Sequence, residues 1–244
     1  MAIQTEKAYV LRTFNLRETS KIASLYTQGH GKIKGIFKGI RAGKKNLRTT
    51  LDCGGLNEVV FYPSAKELWL VSYADELVRP DGYGDLGKIA AMHYMLELVD
   101  KVMPLHLPSV AVFDLIAQAL LALKMNEWEN VVYIFQARLL GISGFKPSLT
   151  ECVRCGTQSG QDAFFSSHLG GVICVKCRPY INEAFAVSAQ VLSSLLYVQR
   201  NDFFISLRLK PDIEVKRQMR MVLNDFFAHH TNMRFNSLKV MSMV

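Results

Sequence analysis

Lys32-Ile-Lys-Gly-Ile-Phe-Lys-Gly-Ile-Arg41 is the stretch on which the fold turns. Side chains of a strand alternate between its two faces. Lys32, Lys34 and Lys38 therefore fall on one side, and Ile33, Gly35 and Phe37 on the other. An apolar inner face backed by a lysine-rich outer one marks a half-buried strand. Around it lie Ala8-Tyr-Val-Leu-Arg-Thr-Phe-Asn15, Lys21-Ile-Ala-Ser-Leu-Tyr-Thr27, Leu56-Asn-Glu-Val-Val-Phe-Tyr62 and Glu67-Leu-Trp-Leu-Val-Ser-Tyr73. All four runs are short and rich in β-branched and aromatic residues. Gln28-Gly-His-Gly31 and Tyr62-Pro-Ser-Ala65 supply turn chemistry between them. Five short strands in about 75 residues predict a small closed barrel, and OB-like and SH3-like barrels both fit the pattern.

From Asp85 onward the apolar period becomes helical. Met92, Leu96, Val99 and Met103 form one stripe, and Phe113, Ile116, Leu120 and Leu123 a second, with Pro104 and Pro108 between them. Trp128, Val131, Val132, Phe135 and Leu139 form a third, which stops near Gly141 and Gly144, before Pro147. Two more run through Val191, Leu192, Leu195 and Leu196, and through Val215, Met219, Val222, Leu223 and Phe226. Such wide stripes belong to helices packed on several sides. His229 and His230 point about 100° apart on a helix and read as surface residues rather than joint metal ligands. The chain is thus expected to be α+β and multidomain, with a barrel over 1–80 and a helical domain over 81–244.

The 244 residues carry a net charge of +8, and half are apolar, as in an ordinary folded protein. Residues 1–80 hold 13 Lys and Arg against 7 Asp and Glu, so most of the excess sits in the barrel. Lys32, Lys34, Lys38, Arg41, Lys44, Lys45 and Arg48 follow one another between Gly31 and Thr50 with no acid among them. A lysine-bearing strand leading into a flexible basic loop can track a phosphate backbone. Phe14, Tyr26 and Trp69 are candidate stacking platforms for bases, although aromatic residues at such positions more often build the core. The start, Met1-Ala-Ile-Gln-Thr-Glu-Lys7, has polar residues where a secretory signal needs apolar ones, and Val110–Met125 contains Asp114, Gln118 and Lys124. A cytoplasmic protein with no membrane partner is expected, and its five cysteines should not form disulfides.

Four of those cysteines carry the sharpest motif, Cys152-Val-Arg-Cys155-Gly followed by Cys174-Val-Lys-Cys177. Two CxxC pairs at this separation suit a single four-sulfur zinc site in a module over 148–182, with Gly170-Gly171 turning the chain back. Four sulfur ligands leave no open position, so one structural Zn2+ is expected and not a catalytic one. Arg154 and Lys176 would favour thiolates. A pair of redox dithiols is the rival reading. Cys53 reads as an ordinary buried thiol. No HxE, GxSxG, HExxH or Walker-type GxxxxGK[ST] occurs, so no catalytic constellation can be assembled and no enzyme is expected.

Tyr9-Val-Leu-Arg-Thr-Phe-Asn15, Gly29-His-Gly-Lys-Ile-Lys-Gly-Ile-Phe-Lys-Gly-Ile-Arg41 and Tyr94-Met-Leu-Glu-Leu-Val-Asp100 resemble the RecO family. So do Arg138-Leu-Leu-Gly-Ile-Ser-Gly-Phe-Lys-Pro147 and the two CxxC segments, in the same order along nearly the whole chain. The resemblance implies an N-terminal OB-fold and a helical domain with an inserted four-cysteine zinc-finger module (Cys152, Cys155, Cys174, Cys177). It implies binding of single- and double-stranded DNA, annealing of complementary strands, and help from RecR in loading RecA onto strands coated by single-strand-binding protein (SSB). The SSB tail would dock on the helical domain, and the protein would act at the nucleoid. DNA contact is expected first at Lys34, Lys38 and Arg41. Lys32, Lys44, Lys45 and Arg48 extend the same run, and Arg12 and Arg17 are weaker candidates. A zinc-containing RNA-binding module and a metal-dependent hydrolase are the two other classes left open.

Overall fold

A computed structural model of the chain describes residues 3–43, 45, 47–80, 83–158, 160 and 162–231. The chain forms two compact units, divided between Met125 and Asn126.

The first unit begins with β1 (Gln4–Leu16), β2 (Ser20–Thr27) and β3 (Gly31–Phe37), then a single 3-10 turn at Ile40–Ala42. The short β4 (Leu47–Arg48), β5 (Leu56–Tyr62) and β6 (Leu68–Val78) follow. Neighbours run β3-β2-β1-β5-β6, and β3 then pairs with β6 in parallel at Lys34–Leu68, Gly35–Trp69 and Ile36–Leu70. That ring is the OB-like arrangement, so the parallel closure decides between the two barrels the pattern allowed. Alternation holds as read. Ile33, Gly35 and Phe37 face a core shared with Val10, Leu25, Val59, Phe61 and Val71. Gly35 is required there, because a Cβ would sit 2.8 Å from a Val71 methyl.

Arg41 belongs to the 3-10 turn and Leu47 is buried in the core, so the basic segment after β3 is anchored at both ends. Lys44 lies outside the described residues. Tyr26 and Trp69 are also core residues. Trp69 stacks on Phe61 and on His106 and donates its ring N–H to the Ser64 carbonyl at 3.0 Å.

The helices α1 (Leu86–Val102) and α2 (Val110–Met125) complete this unit. Asp85 caps α1 by accepting the Lys88 N–H at 2.8 Å. The Ser24 hydroxyl donates to Asp100 near the other end of α1 at 2.5 Å. The connection from α1 to α2 then crosses the start of β3, where the His106 N–H donates to the Lys32 carbonyl at 2.9 Å. Gly31, at φ +64, permits that approach, since a Cβ there would lie 2.2 Å from the Leu107 carbonyl oxygen.

The second unit contains α3 (Trp128–Ile142), β7 (Ala163–Ser166), β8 (Gly171–Cys174), β9 (Phe185–Val187), α4 (Ala189–Arg200), α5 (Phe203–Ser206) and α6 (Ile213–Thr231). The three strands form an antiparallel sheet in the order β8-β7-β9. Glu129 on α3 accepts from Arg220 of α6 at 2.6 Å. His229 is exposed as expected. His230 is instead half-buried against Phe226 and Phe145, at ring distances of 4.2 and 5.2 Å. A helical period shows which face a residue occupies; it does not show what a distant loop lays on that face.

Candidate nucleic-acid interface and metal centre

Oligonucleotide-binding barrels use the face of their second and third strands and the loops flanking it. Here the upper part of that face is covered. Lys32 donates its ammonium to the Asp100 carbonyl, and burial lowers its pKa. Lys34 is exposed and ion-paired with Glu67, which precedes β6, and this partner holds the Glu67 carboxyl below its usual range.

Basic side chains gather at the other end of the barrel. Lys38, Arg41, Lys45 and Arg48 are exposed, as are Arg12 and Arg17. The Arg41 guanidinium donates to the Arg17 carbonyl at 3.1 Å, and the Arg41 N–H to Thr19 at 2.9 Å. The β1–β2 turn and the 3-10 turn are thereby joined, with Arg17 in the left-handed region at φ 53. Arg12 lies over the Phe14 ring, 4.3 Å from its centroid, and Phe14 is 46% exposed. Of the three aromatic candidates, Phe14 alone offers a ring face to solvent. Lys21, at the start of β2, lies at this end too and donates to the Thr50 carbonyl at 2.9 Å. It stood outside the acid-free run, and only the strand pairing places it there.

The four cysteines of the second unit converge. The Sγ atoms of Cys152, Cys155, Cys174 and Cys177 all lie within 4.8 Å of one another, with Cys155 and Cys174 at 3.7 Å. A tetrahedron with metal–sulfur bonds of about 2.3 Å has sulfur–sulfur edges of about 3.8 Å. The donor set and its spacing therefore fit a metal ion that prefers soft tetrahedral ligands.

Each CxxC is a tight turn. The Gly156 N–H donates to the Cys152 carbonyl at 2.8 Å, and Cys177 N–H to Cys174 at 3.0 Å. Gly156 takes φ +72 to complete the first turn. The β7–β8 hairpin brings the second pair back, and the Val153 N–H bonds Val172 at 3.0 Å to hold the two turns together. Cys155 is pulled down to about 6, first by the Thr157 hydroxyl 3.3 Å away. Burial and the other thiols push Cys177 up to about 12. Four crowded sulfurs cannot all ionise without a cation among them. Arg154 lies over the Tyr180 ring, 4.7 Å from its centroid. Cys53, in the first unit, is half-buried, and burial raises its thiol pKa.

An OB-like barrel with a basic end, followed by helices and a four-cysteine centre, defines a class of two-part proteins. Comparison with known families narrows the class. Residues 1–77 match the family model for the recombination protein O N terminal region, and residues 83–239 that for its C terminal region. Proteins named DNA repair protein RecO resemble the chain over most of its length. That of Alkaliphilus metalliredigens is 29% identical, covering 98% of both chains. That of Cutibacterium acnes is 32% identical, covering 73% of this chain and 76% of its own. That of Bacillus pumilus is 28% identical, covering 100% and 95%. The chain belongs to the RecO family of DNA repair proteins. Among the described residues, no helix is long and apolar enough to cross a membrane.

Proposed function

We propose that the protein is a recombination mediator without turnover chemistry. It binds single- and double-stranded DNA at the basic end of the barrel and anneals complementary strands. With RecR it helps load RecA onto SSB-coated single strands. The observation that carries this reading is the exposed set of Arg17, Lys38 and Arg41, with the exposed Arg12–Phe14 pair on the same barrel.

Each residue has a distinct task in this mechanism. Lys38, Arg41, Lys45 and Arg48 neutralise phosphates, with Arg12, Arg17 and Lys34 at the margin and Lys44 extending the same run. Two backbones that repel in water can then lie close enough to pair. The barrel domain (1–80) holds DNA, and the helical domain (81–244) docks the SSB tail, which raises the local concentration of coated strands. Cys152, Cys155, Cys174 and Cys177 of the four-cysteine module (148–182) would hold one Zn2+ as a structural ion. The metal supplies no chemistry beyond fixing the two turns. The protein works in the cytoplasm, at the nucleoid.

The test is annealing of two complementary oligonucleotides, each precoated with SSB. Acceleration that fades as salt rises supports the mediator reading. Measurable DNA binding with no acceleration overturns it.

A further inference from the structure

A groove of about 560 Å3 opens where the basic end of the barrel meets the first half of α1. Thr13, Lys21, Leu51, Asp52, Ile89 and Met92 line it. Thr13 stands between Arg12 and Phe14 on β1, and strand alternation turns its side chain to the face opposite theirs.

The segment that forms one wall is held open against its own conformational preference. Leu51 sits at φ 57, in the left-handed region that a branched side chain rarely adopts. The Thr49 hydroxyl accepts the Leu51 N–H at 3.0 Å, and Gly54 donates to Val10 at 2.8 Å. Gly54 packs so closely on α1 that a Cβ would meet the Met92 sulfur at 2.8 Å. Strain of this kind persists only where the surroundings over-determine it, and it clusters at ligand sites.

The lining chemistry narrows the occupant. Ile89, 41% exposed, offers an apolar edge to a flat ring, over a floor that includes the buried Leu51 and Met92. The Asp52 carboxylate would repel a phosphate but accept N–H donors. It has lone pairs for about four donors, and the Thr50 hydroxyl at 2.6 Å takes one. Two cations lie beside the groove, Lys21, which donates to the Thr50 carbonyl, and Arg79, which is ion-paired with Glu76.

We propose that this groove receives one unstacked base of a bound single strand, selecting bases with an exocyclic amino group. Cytosine, adenine and guanine present such an amine to Asp52. Thymine does not, and its single N–H is flanked by two carbonyl oxygens that repel a carboxylate. The proposal rests on the reading that the barrel binds DNA.

The test compares oligo(dC) and oligo(dT) of equal length at neutral pH, with an abasic oligonucleotide as the backbone-only probe. The wild-type protein should bind oligo(dC) more tightly than oligo(dT) by about fivefold or more, the discrimination one good base-edge contact gives. Asp52→Asn should bring that ratio close to one, whatever the lost charge does to both affinities. Ile89→Trp, at a position 41% exposed and so tolerant of a larger ring, should fill the groove. It should weaken oligo(dC) binding while leaving the abasic probe unchanged. Equal wild-type affinities, or a ratio that survives both substitutions, would overturn the groove and leave the DNA reading standing. Failure to bind any of the three probes would overturn both.

Discussion

The ammonium of Lys32 and the backbone carbonyl of Asp100 are hydrogen-bonded, and they tie the third strand of the barrel to the end of its first helix. Lys32, read from the sequence as a phosphate contact, spends one donor on this bond. Lys32→Ala should leave the salt dependence of DNA affinity unchanged. Lys38→Ala and Arg41→Ala should each reduce the slope of log K against log salt by about one. Titrating a labelled oligonucleotide across a series of salt concentrations checks all three. A slope that falls for Lys32→Ala and holds for the other two would place the backbone on the covered face.

Phe14 is nearly half exposed and lies under Arg12, so its removal costs little packing. Phe14→Ala should weaken binding to single strands by about 1–3 kcal/mol, the usual worth of one base–aromatic contact. Binding to a duplex, whose bases are stacked already, should barely change. Equal losses on both substrates would mean that Phe14 acts through the barrel's shape.

The four-cysteine module has a small core of its own, so metal should account for much of its folding energy. One zinc per chain is expected by elemental analysis. Cys155→Ser should lower that occupancy and open residues 148–182 to limited proteolysis. DNA binding by the barrel end should persist. Full zinc content in Cys155→Ser, or a metal-free protein equally resistant to protease, would contradict a structural metal.

His230 is half-buried against two phenylalanine rings, and burial lowers its pKa below the usual 6.5, with His229 adding repulsion. The unfolded chain therefore binds a proton more readily than the folded one, and stability falls as pH drops through about 6.5. Thermal melts between pH 7.5 and pH 5.5, both chosen to bracket roughly that value, should show a decline that is smaller in His230→Phe. An identical decline in the variant would assign it to other groups.

The strands were legible because alternation is local. Ile33, Gly35 and Phe37 face the core because each neighbour points the other way. The five long helices were legible for the same reason, and the spacing of Cys152, Cys155, Cys174 and Cys177 announced their convergence. Contacts between residues far apart in sequence were hidden. Nothing near Lys32 shows that residues 103–109 will cross its strand, and nothing near Trp69 shows that His106 will stack on it. The three-residue β9 and the four-residue α5 are too short to leave a period. Thr157 sat in plain view two residues beyond Cys155, but its hydroxyl matters only once the turn is folded.

The parallel pairing of β3 with β6 has one more consequence. At Lys34–Ile36 and Leu68–Leu70 the two strands take up each other's open edge, so no extended segment can join there as an extra strand. Whatever meets the barrel at that seam must read it through side chains, and single substitutions beside it should separate one partner from another.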